Sequence, residues 1–304
     1  MRTKFLFIAL MFTGFAALAQ QDAQYTQYMY NTINVNPAYA GSRGVMSIFG
    51  LHRTQWVGLD GAPTTNAFSV NTPINNSNIG MGLSFVNDKI GPTNENSISA
   101  DISYTVQTSE KYKLSFGVKG SANLFNLDVS RLTPADGGDA LLLTNIDNQI
   151  TPNVGAGVYF HSDKMYIGLS VPNFFETKRY NDNDIALNAE RMNFYLIAGY
   201  VFDLSYNLKF KPALLTKAVE GAPLQVDVSG NFLYNDKFML GVAWRWDAAV
   251  SALAGFQVTD GLFIGYGYDH ETTRLRRFNS GSHEIFLRFE LFTKQNKIVS
   301  PRFF

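Results

Sequence analysis

The chain has 304 residues, no cysteine and a formal net charge of zero, with 14% aromatic and 16% charged residues. The lack of cysteine argues against a disulfide-stapled exported domain, a thiolate metal site and a lipid anchor on an N-terminal Cys. The neutral charge gives nucleic-acid binding no electrostatic support. Because soluble domains carry roughly 25% charged residues, much of this surface is expected to face something other than water.

Residues 1–19 have the pattern of an export signal. Arg2 and Lys4 precede a short apolar stretch, and the tripeptide at 17–19 fits a small-x-small cleavage site. The alternative is a buried N-terminal helix. We expect the mature chain to begin at Gln20. No later apolar run approaches the roughly 20 residues of a membrane helix, so any membrane span would have to be made of strands.

The segment 20–43 is rich in Tyr and Asn and poor in charge. The residues at the spacing of one helix face are Tyr25, Tyr28, Met29, Thr32 and Ile33. Asp22 is a candidate helix cap, and Pro37 disfavours a helical Asn36. The pattern predicts a short aromatic-faced helix that ends in an Asn-Pro turn. This segment either plugs the periplasmic mouth of a barrel or docks a periplasmic partner.

From about Gly44 onward, apolar and polar residues alternate with a period of two, which is typical of strands. In the segment 224–232, for example, the apolar or small residues alternate with Gln225, Asp227 and Ser229. The predicted strands are about 44–52, 64–74, 78–87, 97–107, 112–123, 152–160, 165–171, 192–203, 207–216, 224–234, 238–246, 249–258, 261–269 and 282–292. Their even number is typical of outer-membrane barrels, and their length, often about ten residues, matches tilted membrane strands.

Short connections interleave with long ones, except near 247–248, where a short one stands in place of a long one. Aromatic residues such as Trp244, Trp246 and Tyr266 lie near strand ends. Both features favour an all-β fold, a single antiparallel transmembrane β-barrel of about 14 strands with a short N-terminal helical or turn segment at its periplasmic end. The alternative is an exported soluble β-sandwich.

The predicted organisation is a signal peptide at 1–19, a plug or docking segment at 20–43, a barrel at 44–292 and a periplasmic tail at 293–304. Both termini of the mature chain are expected on the periplasmic side of the outer membrane, with the long loops outside.

Catalytic motifs are not found in the sequence. His283 and Glu284 could form an acid–base pair, but neighbours on a strand point to opposite faces. We therefore expect no enzyme and no cofactor. The acidic loop segments at 136–139 and 181–184 could bind calcium, although solvated turns are the simpler interpretation.

Charges of both signs lie on the predicted lumen face. They are Arg53, Asp101, Lys113, Lys119, Lys209, Lys211, Asp227, Arg245, Glu284, Arg288 and Glu290. A selective pore would show one dominant sign, so the mixture favours a filled lumen whose charges pair with each other or with a plug.

Three sequence blocks together resemble one family. They are QYTQYM at 24–29 with NPAYAG at 36–41, then RTQW at 53–56 with GAPT at 61–64, then GYGYD at 265–269 with GSHEI at 281–285 and SPRFF at 300–304. The set resembles the PorP/SprF family of outer-membrane proteins of the type IX secretion system, and it spans the mature chain.

This resemblance implies a non-enzymatic component of type IX secretion or gliding motility. Family members help to export or anchor a large secreted adhesin, and others contact periplasmic ring or motor parts. The implied partners are therefore such an adhesin or another type IX substrate, the periplasmic machine and outer-membrane lipid. An outer-membrane channel for small or hydrophobic solutes is the alternative function.

The candidate site residues come from these blocks. They are Tyr25, Gln27, Tyr28, Met29, Asn36, Pro37, Arg53, Trp56, Ser282, His283 and Glu284. Arg53 could pair with Glu284 or Asp269, or it could be solvated at the rim beside Trp56. Residues 282–284 could set the register of the closing strand against the first. The loops 124–151 and 172–191 are the expected surface for an adhesin.

Overall fold

The computed structural model describes residues 30–75, 77–131, 145–180 and 186–291. The first strands are β1 (Met46–Thr54), β2 (Thr64–Pro73), β3 (Ile79–Ile90), β4 (Thr93–Gln107), β5 (Lys113–Leu127), β6 (Ile146–His161), β7 (Met165–Val171), β8 (Thr177–Tyr180) and β9 (Ala186–Glu190). The later strands are β10 (Asn193–Tyr200), β11 (Phe202–Ser205), β12 (Leu208–Val219), β13 (Gln225–Tyr234), β14 (Phe238–Arg245), β15 (Ala249–Gln257), β16 (Leu262–Glu271) and β17 (Ser282–Leu291). Single 3-10 turns cover Thr32–Asn34, Pro37–Tyr39, Val129–Arg131 and Arg274–Arg277.

The strands close into a barrel. Neighbouring strands are antiparallel, β1 pairs with β17, and β10 pairs with both β7 and β12. After Val201, β11 continues β10 along β12, so the two are parts of one barrel strand. Within the described residues the barrel therefore has fourteen strands, which confirms the predicted fold class. In the connection between β7 and β10, β8 and β9 form a separate hairpin that the sequence pattern did not predict.

Side chains alternate between the outer wall and the lumen. On β17, Ile285 and Leu287 are exposed, whereas Glu284 and Phe286, which alternate with them, are buried. Leu83 on β3 is 63% exposed. A soluble sandwich would bury these apolar rows, so their exposure fits an outer wall that faces hydrocarbon.

The hydrophobic core lies inside the barrel. Large inward side chains such as Phe49, Leu215, Met239, Phe263 and Phe286 form one buried cluster, which residues of the 30–40 segment join. Within the described ranges, no helix has the length and apolarity needed to cross a membrane.

The barrel has two different ends. One end carries tight turns, such as that between β13 and β14, where Asn235 and Asp236 have φ of 52° and 53°, as two-residue hairpin turns require. We call it the short-turn end, and we call the other the long-loop end. Met46 pairs with Leu291, so the barrel's first and last strands start and finish at the short-turn end. The predicted exception at 247–248 is a tight turn at the long-loop end.

Several strands run further toward the long-loop end than predicted. β4 begins at Thr93 rather than 97, β5 ends at Leu127 rather than 123, and β6 begins at Ile146 rather than 152. Backbone pairing continues there between polar residues, for example Asn94 with Asn126. The apolar alternation stops beyond the hydrocarbon-facing part of the wall, so the pattern underestimates the length of these strands.

The predicted N-terminal helix does not continue through 30–36. The described chain instead makes 3-10 turns, and Pro37 begins the second of them rather than ending a helix. Asn36 caps this turn, because its side chain accepts a hydrogen bond from the Ala38 amide. Residues 1–29, 132–144, 181–185 and 292–304, which include the predicted signal peptide, the tail and the acidic segments 136–139 and 181–184, lie outside the described residues.

Candidate functional site

Residues 30–41, which we call the plug segment, lie in the barrel lumen. Inward polar side chains of the wall hold its backbone carbonyls. The Ser103 hydroxyl donates to Ala40 O at 2.7 Å, and the Ser170 hydroxyl donates to Val35 O at 2.6 Å. These contacts fix the position of the backbone, because a buried carbonyl without a partner would cost free energy.

A buried lysine holds the middle of the plug segment. Lys119 Nζ donates to Ile33 O and Asn34 O at 3.3 Å each. The same ammonium lies 3.3 Å from Asp101 Oδ1, on the neighbouring strand. Asp101 and Lys119 are cross-strand partners in the β4–β5 ladder, so the pairing of this hairpin brings them together.

Glycines line the wall where the plug segment approaches most closely. A Cβ on Gly117 would overlap the backbone of Ala38, and a Cβ on Gly157 would overlap the Asn36 side chain. Asn36 Nδ2 also donates to Val158 O at 3.1 Å. A larger residue at either glycine would push the plug segment away.

The opposite wall meets the plug segment with rings. The Tyr30 centroid is 4.6 Å from that of Phe286 and 5.6 Å from that of Phe263. Lys211 Nζ and the Arg288 guanidinium lie 5.5 and 5.7 Å from the same ring centroid. Burial raises the pKa of Tyr30 above its ordinary value, so its hydroxyl stays protonated.

Arg43, two residues after the plug segment, pairs with a residue of the last strand. Its guanidinium pairs with the Glu290 carboxylate, and its Nη1 donates to Tyr39 Oη at 3.2 Å. The side chains of Arg43 and Glu290 are both buried. The alternating pattern predicted Glu290 in the lumen but not Arg43, because Arg43 precedes that pattern.

A second buried cluster lies at the long-loop end. Arg53 Nη2 lies 2.7 Å from Asp269 Oδ2, and its Nη1 lies 3.1 Å from Glu284 Oε2. Both partners that the sequence suggested are therefore present at once, and the alternative of a solvated Arg53 is wrong. Arg53 is also the register partner of Glu284 in the β1–β17 ladder. Beside this cluster, Arg245 Nε donates to Asp227 Oδ1 at 2.7 Å.

Trp56 and Ser282 join the two loops that flank the β1–β17 pair. The Trp56 amide donates to Ser282 Oγ at 3.2 Å, and its indole Nε1 donates to Glu271 Oε2 at 3.2 Å. Val57 N donates to Gly281 O at 2.9 Å. The RTQW and GSHEI blocks, far apart in sequence, therefore meet at one rim.

His283 lies outside this lumen cluster. Its ring faces outward, where its Nδ1 lies 2.6 Å from Tyr266 Oη, whereas Glu284 next to it is buried in the lumen. Of the other candidate residues, Asn36 and Pro37 belong to the plug segment. Tyr25, Gln27, Tyr28 and Met29 lie outside the described residues. Among the residues described, no group of three or more His, Asp or Glu side chains could hold a metal ion.

The outer wall carries an apolar pocket of about 620 Å³. Outward side chains that line it include Phe116, Val158, Leu169 and Phe194. The pocket opens away from the lumen, on the side of the barrel whose inner face holds Asn36 and Ala38.

Strand closure, outward apolar rows and a lumen packed by the chain's own segment define a membrane β-barrel with a filled interior. The chain belongs to the family described as type IX secretion system membrane protein PorP/SprF, whose family pattern matches residues 17–289. This match confirms the resemblance that the sequence blocks indicated.

No curated protein matches the chain. Among solved structures, the chain is similar to outer membrane protein Omp33 of Acinetobacter baumannii, with 6% identity and a TM-score of 0.48 over 81% of this chain and 98% of that one. It is similar to the CymD monoaromatic hydrocarbon channel, with 11% identity and a TM-score of 0.48 over 88% and 94% of the two chains. It is also similar to the KdgM porin, with 9% identity and a TM-score of 0.40 over 81% and 99%. At these identities and TM-scores, the similarity does not indicate a function.

Proposed function

We propose that this protein is a non-enzymatic outer-membrane component of the type IX secretion and gliding machinery that binds protein partners rather than conducting solutes. It binds, helps export or anchors a large secreted adhesin or another type IX substrate, and it contacts periplasmic ring or motor parts. Family membership supports this setting. The plug segment is the observation that favours a binding role over an open pore, because it occupies the lumen with buried contacts on many strands.

The proposed orientation puts the short-turn end in the periplasm. Bacterial barrels have short periplasmic turns and longer external loops. The plug segment and both ends of the mature chain then face the periplasmic machine. The connections at 124–151 and 172–191, the second of which carries the β8–β9 hairpin, then face outward as the adhesin surface.

Deletion of the gene tests this function. The expected result is loss of surface display of a cognate adhesin, detected by antibody labelling of intact cells, with unchanged uptake of small solutes. Affinity purification from detergent-solubilised outer membrane should recover the adhesin and periplasmic machine proteins with the barrel. Normal display in the deletion strain would contradict the proposal.

The alternative is a channel for small or hydrophobic solutes; the apolar pocket of about 620 Å³ lies on the outer wall and opens away from the lumen, so it is not part of such a path. Planar-bilayer recordings separate the two functions. We expect no steady conductance from the full-length barrel and clear conductance after deletion of residues 30–41. Gly120→Val is the matched control, because a Cβ on Gly120 meets nothing within 4 Å, and it should stay closed. Steady conductance through the intact protein would favour the channel.

A further inference from the structure

The turn between β16 and β17 concentrates positive charge at the long-loop end. Its 3-10 turn, Arg274–Arg277, has the sequence RLRR. All three arginines are exposed, and so are Leu275 and Phe278, the latter to 65%. We call residues 273–278 the arginine turn.

Hydrogen bonds at both ends hold the arginine turn in one conformation. Thr273 Oγ1 accepts from Leu275 N at 3.3 Å, and Asn279 Nδ2 donates to Leu275 O at 2.7 Å. Gly281 N in turn donates to Asn279 Oδ1 at 2.8 Å. The three guanidinium groups are thus presented on an ordered turn, which reduces the entropy that a ligand would have to remove.

The residues next to the arginine turn lie against the outside of the barrel. Tyr268 follows the outward row of β16, and its hydroxyl donates to Ser280 O at 3.0 Å. On the other side, Thr272 N donates to Ala248 O at 2.8 Å, in the tight turn after β14. The segment after the arginine turn is thus held by an outward side chain of β16, and the segment before it by the turn between β14 and β15.

The arginines of this turn differ from those in the lumen. Arg43, Arg53 and Arg245 each pair with a carboxylate. Within the described part of the chain, Arg274, Arg276 and Arg277 make no side-chain ion pair or hydrogen bond. Glu271, the acid nearest in sequence, accepts from Trp56 and Thr273 instead. The turn therefore has donors to offer a bound anion.

We propose that the arginine turn binds phosphate groups of the lipid headgroups in the leaflet around the long-loop end. The guanidinium fork matches phosphate with two parallel hydrogen bonds. Leu275 and Phe278 on the same turn suit the boundary between headgroups and acyl chains, where amphipathic segments bind anionic lipid. Tyr268, which holds the segment after the turn, belongs to the outward row of β16, and aromatic side chains near strand ends are typical of the membrane interface.

A lipid-binding measurement on the full-length protein tests this inference. Barrel purified in detergent is titrated with phosphorylated lipid A and with the same lipid after phosphatase treatment, and bound lipid is counted by native mass spectrometry. The wild type should prefer the phosphorylated form by about tenfold, as charge-assisted pairs allow. The triple variant R274A/R276A/R277A should lose most of this preference. The triple Arg→Lys variant should keep part of it, because it retains charge without the bidentate fork.

The control variant K111A/K113A/K237A removes three charges from the short-turn end and should keep the wild-type preference. Equal binding of both lipid forms by the wild type would overturn the inference, and so would an unchanged preference in the arginine variant. Displacement of the lipid by equimolar inorganic phosphate would identify a free-anion site and would also contradict it. If the arginine variant instead lost an acidic protein partner, with lipid binding intact, the surface would be a protein-docking one. Because lipid binding does not depend on adhesin display, failure of the proposed function would leave this result interpretable.

Discussion

The two walls of the lumen meet the plug segment in different ways. The wall of β3 to β7, which we call the bare wall, has glycines at its closest contacts, with Gly117 against the backbone of Ala38 and Gly157 against the Asn36 side chain; it also offers one ring, that of Tyr159, to Tyr39. The wall of β12 to β17 fills its side with large groups such as Met239, Phe263 and Phe286. The bare wall fixes where the segment lies through steric fit and hydrogen bonds. The filled wall stabilises it through burial, because packed apolar area lowers the free energy of the folded state.

The largest effect is expected on the filled wall. Phe286→Ala removes a ring that packs on Tyr30, Phe49 and Phe263, and it should lower the free energy of unfolding by about 3–5 kcal/mol. Urea titration in detergent micelles, followed by tryptophan fluorescence, measures this. Phe289→Ala is the matched control, because Phe289 lies outward on the same strand and is 42% exposed. Equal losses for the two variants would mean that the filled wall does not stabilise the plug segment.

On the bare wall, added volume should be harmful. Gly117→Val places atoms where the backbone of Ala38 lies, which should cost about 3 kcal/mol, the upper part of the range for overpacking. Limited proteolysis should then cut the displaced plug segment faster. Gly120→Val, on the same strand with open space around it, should behave like the wild type. A Gly117→Val protein with unchanged unfolding and proteolysis would show that the close contact is not needed.

A smaller effect is expected from Asn36, which bonds to the bare wall without filling it. Asn36→Ala removes the cap on Ala38 N and the bond to Val158 O, and it should cost about 1–2 kcal/mol. Asn36→Ser keeps a side-chain acceptor for the cap but loses the donor to Val158 O, so its loss should be about half as large. The same urea titration ranks the three proteins. A larger loss for Ser than for Ala would contradict this division.

The smallest effect lies outside both walls. Lys164 and Asp203 form an exposed pair at the short-turn end, and their hydrogen bond raises the pKa of Lys164. Water screens such surface pairs, so Lys164→Ala should leave the unfolding midpoint unchanged. A shift comparable to that of Asn36→Ala would show that the short-turn rim also stabilises the barrel.

The sequence predicted the barrel wall better than its interior. The alternation predicted the strand number and the inward direction of Arg53, Glu284 and Lys119, because one face of each strand must be polar or small. It did not predict the 3-10 turns of the plug segment. That segment is enclosed on all sides, so Thr32 and Ile33 are both buried and no single apolar face exists for a period to report.

The interior of the filled wall also deviates from the expected pattern. Inward Phe49, Leu215 and Met239 are apolar, although a polar lumen face was expected. They pack against each other and the plug segment, which a single strand pattern cannot reveal. The arginine turn was missed for a related reason. Whether its arginines can bind an anion depends on the outward position of Tyr268 and on which carboxylates lie within reach. The sequence of the turn specifies neither.

The pairing of β1 with β17 has a consequence for how the chain assembles. The Arg43–Glu290 and Arg53–Glu284 contacts join residues 247 and 231 positions apart, one near each end of this pair of strands. Neither contact can exist until the first and last strands meet. Until then these four side chains stay solvated. The pairing of β1 with β17, which closes the barrel, is the step that brings the opposite charges together. Variants without Arg53 should accumulate as inserted intermediates in which β1 and β17 are not yet paired.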